Sequence, residues 1–255
     1  MDEAVEKLFT HTNFKHLNGD STLTDSYKQL LASEKVNLIL ADPPYLLLKR
    51  RNKEGQLRDP KRAKIYHHDV RRFENVKEYK IFTQSWMDAA AAYLEQDAYF
   101  IIWTNFLGRD PISDQAKKLN LHFHGEFIWA KYTSEKKGNE RMARVYEVAL
   151  VFSKLPAKEK DVSHQSIAWS VVTDYDQEKE GEKWGLHPNH KTFSAIEPLI
   201  RNFTRPGETI LDPFTGSGST PLAALKLKRM VFGIELSQEW SKTTRERYLD
   251  FNPEG

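Results

Sequence analysis

Short runs of apolar, β-favouring residues alternate along this chain with stretches whose apolar positions recur at helical spacing. The apolar runs predict strands at Phe14–Leu17, Val36–Leu40, Ala98–Trp103, Phe123–Trp129, Tyr146–Phe152, Thr209–Leu211 and Met230–Ile234. Polar or turn-forming residues bound them. Helical spacing predicts Asp25–Ser33, Val76–Leu94, Pro111–Leu119, Phe193–Phe203, Ser219–Leu227 and Gln238–Leu249. Strands and helices taking turns point to an α/β fold built on a mostly parallel sheet of about seven strands, with helices on both faces. A length of 255 residues fits one enlarged α/β domain, so 1–255 is read as a single unit.

Two stretches interrupt the alternation. Residues 46–72 are long, polar and basic, with Lys49, Arg50, Arg51, Lys53, Arg58, Lys61, Arg62, Lys64, Arg71 and Arg72 set against Glu54, Asp59 and Asp69. Residues 154–186 are polar and mixed in charge, with Trp169 and Trp184 among them. Irregular stretches of that length inside a compact domain are either functional or disordered.

Composition narrows the classes. A hydrophobic content of 39% with 12% aromatics is enough for a substantial core. Cysteine is absent, which excludes disulfides, thiolate metal sites and a cysteine nucleophile. The longest apolar runs fall short of a bilayer span, and Met1–Thr10 is acidic rather than signal-like. A soluble, cytoplasmic protein with no membrane association is therefore expected. The net charge of +2 is too small to name a polyanionic partner, and no His/carboxylate spacing suggests a metal site.

Two motifs carry the chemistry. Asp42-Pro43-Pro44-Tyr45 follows directly on a buried strand. The prolines stop the strand and stiffen the turn because neither can donate to a ladder. What remains is a rigid edge with a carboxylate, a carbonyl and an aromatic face. That set suits a planar ring bearing an amino group, with two acceptors for its N–H groups and Tyr45 to stack on it. It equally suits a plain proline turn with a capping Asp, so the motif alone does not decide.

The second motif, Asp212-Pro213-Phe214-Thr215-Gly216-Ser217-Gly218, lies between a strand and a helix. Its glycines permit a tight turn and close backbone approach at a helix amino end. It lacks the Lys-Ser/Thr ending of a phosphate loop and the full dinucleotide fingerprint. Glu235 ends the next strand about twenty residues on, where an acid grips a ribose diol. Together these indicate a cofactor containing a nucleoside.

With these pieces in place, the sequence resembles the S-adenosylmethionine-dependent DNA amino-methyltransferases that act on adenine N6 or cytosine N4. Asp42–Tyr45 matches the catalytic motif, in the form most associated with adenine. Asp212–Gly218 matches the cofactor loop, and Phe232-Gly233-Ile234-Glu235 the ribose strand. Further family-like pieces occur in order: Asn18-Gly19-Asp20, Phe100–Trp103, Phe127–Lys131, Tyr146-Glu147 leading to Val151–Lys154, and His187–Lys191. The catalytic motif precedes the cofactor loop, as in the circularly permuted class called beta.

The resemblance implies a Rossmann-like methyltransferase fold in which Val36–Leu40 and Thr209–Leu211 lie side by side. It implies that Asp20 sits near the cofactor's adenine and Glu235 on its ribose. Asp212, Phe214, Gly216 and Ser217 would line the methionine portion, Lys191 would reach the carboxylate, and Asp42, Thr215 and Gly218 would also bind the cofactor. Around Lys191 this chain reads Asn189-His190-Lys191-Thr192 where the family commonly has Thr-Gln-Lys-Pro.

The implied reaction is methyl transfer from S-adenosylmethionine to an exocyclic amine, with Asp42, Pro43, Pro44 and Tyr45 catalytic. A duplex substrate would present its target base flipped out. Lys49, Arg50, Arg51, Arg62 and Lys64 would then grip DNA phosphates. Segments 131–144 and 154–186 hold the family's target-recognition position. By analogy a homodimer is expected, acting alone or beside a restriction endonuclease. Cytosine N4, an RNA substrate and a non-catalytic cofactor- or DNA-binding subunit stay open as alternatives.

Overall fold

The apolar run Val36–Ala41 forms β3 at the centre of a nine-stranded sheet. The computed structural model describes residues 7–49, 71–131, 146–156, 170–173 and 191–251. In chain order the elements are β1 (Leu8–His11), β2 (Phe14–Asn18), α1 (Thr24–Leu31), β3, α2 (Val76–Ala91) and β4 (Leu94–Thr104). There follow α3 (Arg109–Lys118), β5 (His122–Lys131), β6 (Tyr146–Ser153), β7 (Ser170–Thr173) and α4 (Phe193–Phe203). β8 (Thr209–Asp212), α5 (Ser219–Lys226), β9 (Met230–Glu235) and α6 (Gln238–Phe251) complete the described set.

The strands lie in the order β1-β2-β9-β8-β3-β4-β6-β5-β7. Strands β2, β9, β8, β3 and β4 run parallel. β6 is antiparallel to both its neighbours, β4 and β5, and β1 is antiparallel to β2. The sheet is thus mostly parallel, as the sequence pattern indicates, but among the described residues it has nine strands rather than about seven. The two additions, β1 and β7, sit at the outer edges and are four residues each. Runs that short, reading LFTH and SVVT, carry too few alternations to stand out from polar surroundings.

Period-two alternation sends side chains to two cores. Leu38, Leu40, Ile101 and Trp103 belong to one, with Ile196 and Ile200 of α4, Ala223 of α5 and Tyr248 of α6. Ile39, Ala41, Phe100 and Ile102 belong to the other, with Tyr27 of α1, Trp86 of α2 and Ile112 of α3. Each fully buried large apolar side chain contributes about 1.5–3 kcal/mol, so both helical layers are held chiefly by this burial. Among the described residues no helix is long and apolar enough to cross a membrane.

Strand pairing also positions the site. β3 pairs with β8 through Leu38↔Ile210 and Ile39↔Leu211. From β3 the chain moves to β4 on one side; from β8 it moves to β9 on the other. The sheet therefore has its topological switch point between β3 and β8, where a crevice opens at the carboxyl ends of the strands. Nearby, the two ends of the basic stretch are stitched together. Phe73 N donates to Leu47 O and Lys49 N to Phe73 O, each at 2.8 Å. Leu46 and Phe73 are buried beneath that stitch.

Candidate active site

β8 delivers Asp212 to one side of the crevice, and the loop that follows turns into α5. Gly216 and Gly218 have φ of 52° and 88°, the left-handed region that L side chains resist. A Cβ on Gly218 would also lie 3.0 Å from Thr244 Cγ2. The loop is held from beneath: Thr215 N donates to Ile234 O at 3.0 Å, and Thr244 Oγ1 to Gly216 O at 2.8 Å. Arg247 donates to Ser217 O at 2.5 Å. Asp212 is buried, and burial pushes its carboxyl up to about 8 although Phe214 N donates to it at 3.0 Å. The Asp42 and Glu235 charges push the same way.

Glu235, at the end of β9, fastens the loop from the side. Its Oε2 accepts from Gly216 N and its Oε1 from Ser237 N, each at 2.8 Å. Asp20, just after β2, accepts from Thr22 N at 2.8 Å and Thr22 Oγ1 at 2.7 Å. The Phe214 ring meets Trp86 edge-on at 5.2 Å and Phe82 at 6.1 Å.

β3 delivers Asp42, Pro43, Pro44 and Tyr45 to the opposite wall. Here Lys191, the residue before the Thr192 cap of α4, is only 5% exposed. Its Nζ lies 2.6 Å from Asp42 Oδ2 and 2.9 Å from Glu147 Oε2. It also donates to Tyr45 OH at 3.2 Å, while Tyr45 OH donates to Glu147 Oε2 at 2.7 Å. The rings of Trp103, Tyr45 and Trp129 surround the ammonium at 5.2, 5.5 and 5.8 Å. Burial works against the Lys191 charge, but Asp42 and Glu147 more than offset it, and its pKa is raised. Burial raises Asp42 too; Lys191 opposes that rise and Glu147 adds to it. Asp42 Oδ1 is buried with no hydrogen-bond partner, an acceptor whose desolvation is uncompensated until a donor arrives.

Both walls face one cavity of about 330 Å³ lined by Asp20, Asp42, Pro44, Tyr45, Lys191, Asp212 to Ser217 and Glu235. Residues singled out far apart in sequence therefore meet at one place. The sequence reading gave Lys191 to a ligand carboxylate; in the structure its Nζ is occupied by Asp42 and Glu147. Of the residues expected at DNA phosphates, Lys49 pairs with Glu74 at 3.4 Å. Arg50, Arg51, Arg62 and Lys64 lie outside the described residues, as does segment 132–145. Among the described residues no His/Asp/Glu cluster is fit to hold a metal ion.

The sequence reading missed three contributors. Glu147 stood out only as part of a motif on β6, and its contacts to Lys191 and Tyr45 are long-range. Trp103 ends an apolar run yet lines the cavity. His16 is fully buried beneath the loop, with Nε2 3.0 Å from Thr215 Oγ1. Burial and the adjacent Arg245 hold its pKa down to about 3, so it is neutral. Alternation in Phe14–Asn18 was the available signal, since it turns His16 inward with Phe14.

Comparison with known proteins places this geometry in context. A family model described as DNA methylase matches residues 36–246. The type II methyltransferase M.HinfI of Haemophilus influenzae is 23% identical over 239 residues, which span 88% of this chain and 66% of that enzyme. Among solved structures, the M1.HpyAVI–SAM complex superposes with a TM-score of 0.68 at 21% identity, covering 92% of this chain and 98% of that one. The cytosine-N4-specific PvuII DNA methyltransferase reaches the same TM-score at 18% identity, covering 94% and 88%.

Proposed function

We propose that this chain, which belongs to the DNA methylase family, methylates the exocyclic N6 amine of adenine at specific sites in duplex DNA, with S-adenosylmethionine as donor. The observation that carries this reading is the meeting of the Asp42–Tyr45 turn and the Asp212–Gly218 loop in one cavity at the switch point of the sheet. A loop alone would serve any nucleoside ligand. A rigid carboxylate and carbonyl set opposite it serve an amine.

The residues present fit the donor. Asp20 and Glu235 would hold its adenosine, and Asp212 with Phe214 to Gly218 its methionine portion. The surplus of carboxylates in the cavity complements a sulfonium and an ammonium. Bound there, S-adenosylmethionine supplies an electrophilic methyl group.

The chain does the rest. Asp42 and the Pro43 carbonyl accept the two N–H groups of the target amine, drawing its lone pair out of conjugation with the ring. Lys191, pinned by Glu147, fixes the Asp42 carboxylate, so positioning is the main contribution. Because burial raises its proton affinity, Asp42 is also competent to take the proton that the product nitrogen sheds. A base in a duplex cannot enter so enclosed a site, so the target nucleotide is extruded first. Methylation of cytosine C5 is excluded, because it needs a cysteine nucleophile and the chain has none.

Asp at position 42 favours adenine, but the same two acceptors fit the cytosine amine. The test is incubation with methyl-labelled S-adenosylmethionine and unmethylated duplex DNA, followed by nucleoside analysis. Label in N6-methyladenine is the expected result. Label only in N4-methylcytosine overturns the base assignment, and no label in nucleic acid overturns the enzymatic reading.

A further inference from the structure

The cavity holds a carboxylate excess, and its most buried cation is already committed. Asp20, Asp42, Asp212 and Glu235 line it. Lys191 sits between Asp42 and Glu147 at 2.6 and 2.9 Å. An amino-acid ligand carries a carboxylate of its own, which a cation on the wall would bind beside the backbone N–H groups of the loop. Among the described residues lining the cavity, only one other cation is present, Arg71.

Among the described residues, Arg71 is held by aromatic contacts. Its guanidinium lies 4.5 Å from the Phe82 ring centroid and 5.0 Å from that of Phe73. Phe73 is fully buried and bonded to Leu47 and Lys49, so the backbone two residues beyond Arg71 is anchored to the segment following the catalytic turn. Phe82 in turn packs against Phe214 of the Asp212–Gly218 loop. The guanidinium thus rides on the aromatic wall that continues into the loop expected to hold the methionine portion. A guanidinium meets a planar anion through two parallel hydrogen bonds, which a carboxylate in the cavity could accept.

From this we infer that Arg71, and not Lys191, is the residue that binds the α-carboxylate of the methyl donor. The inference rests on reading the cavity as the S-adenosylmethionine site. Arg71 belongs to the sequence-defined basic stretch, yet its task on this account is cofactor binding rather than phosphate contact. Lys191 is left to position Asp42.

The test uses calorimetric binding of two probes to the full chain. One is S-adenosylhomocysteine; the other is its decarboxylated analogue, 5′-(3-aminopropylthio)-adenosine, which differs only in lacking the carboxylate. In Arg71→Gln, S-adenosylhomocysteine should bind about 10- to 100-fold more weakly, the range for loss of a charged hydrogen-bonded pair. The analogue should bind wild type and variant alike, and Arg71→Lys should lie between. Unchanged S-adenosylhomocysteine affinity in Arg71→Gln overturns the inference, whether or not duplex binding weakens. Equal loss for both probes also overturns it, because the effect then comes through the aromatic wall. Failure of the wild type to bind S-adenosylhomocysteine overturns the reading of the cavity itself, a separate result.

Discussion

Replacing Glu147 with Gln removes one charge from the buried cluster and leaves its shape. The Gln carbonyl can still accept from Tyr45 OH and Lys191 Nζ, at the present 2.7 and 2.9 Å. What disappears is repulsion between two carboxylates that share one ammonium. Both oxygens bond the same nitrogen, so they stand no more than about 5.5 Å apart, where like charges repel by about 3 kcal/mol at an effective dielectric constant of about 20. Glu147 is one of the causes raising the Asp42 pKa, so its neutralisation lowers it. On the proposed mechanism transfer requires the Asp42 carboxylate as acceptor, so activity should then persist to lower pH. Single-turnover transfer of labelled methyl, measured across pH, should show the acid limb displaced downward, the direction set by removing the Glu147 charge. The rate on the plateau should change little. An acid limb that stays put, or moves upward, would refute the proposed coupling between Glu147 and Asp42.

Other outcomes follow from the same geometry. Asp42→Ala should abolish transfer while S-adenosylhomocysteine binding by calorimetry largely survives; equal loss of both would show that the two walls do not divide the work. Asp212 has a folded pKa of about 8, well above its unfolded value, so the folded state holds the extra proton and loses stability as pH rises from about 4 to about 8. Asp212→Asn removes that loss, and its melting temperature relative to wild type should therefore increase across that interval; a constant difference counts against it. A Cβ at Gly233 would sit 2.6 Å from Thr215 Cγ2 and 2.9 Å from His16 Cδ2. Gly233→Ala should accordingly destabilise the chain by about 1–3 kcal/mol in urea unfolding and weaken nucleoside binding. Neutralising Lys49, Arg50 and Arg51 together should flatten the salt dependence of duplex binding, and an unchanged slope would remove that segment from the phosphate interface.

The amino-acid pattern disclosed the central strands and the turn at Asp42, because both are local: an apolar run of fixed length, then two prolines. It disclosed the Asp212–Gly218 turn for the same reason. Their adjacency is not local. Leu38 and Ile210 are brought together only by the crossovers of the sheet, and the resemblance to a permuted family implied it where spacing could not. Lys191 shows the opposite case. Its place in a motif was legible, but its partner was not, since Glu147 arrives on an antiparallel strand and no periodicity announces which acid will face which base. β1 and β7 escaped because edge strands of four residues owe their existence to a neighbour rather than to their own composition.

The backbone stitch between Leu47, Lys49 and Phe73 separates chemistry from whatever lies between its ends. With both ends fixed, lengthening the intervening stretch changes closure entropy only logarithmically, by about 0.6 kcal/mol for each doubling. Insertions between Lys49 and Arg71 are therefore cheap for the rest of the molecule. The stitch thus makes a seam at which the chain could gain or lose length, generation after generation, without shifting the turn at Asp42.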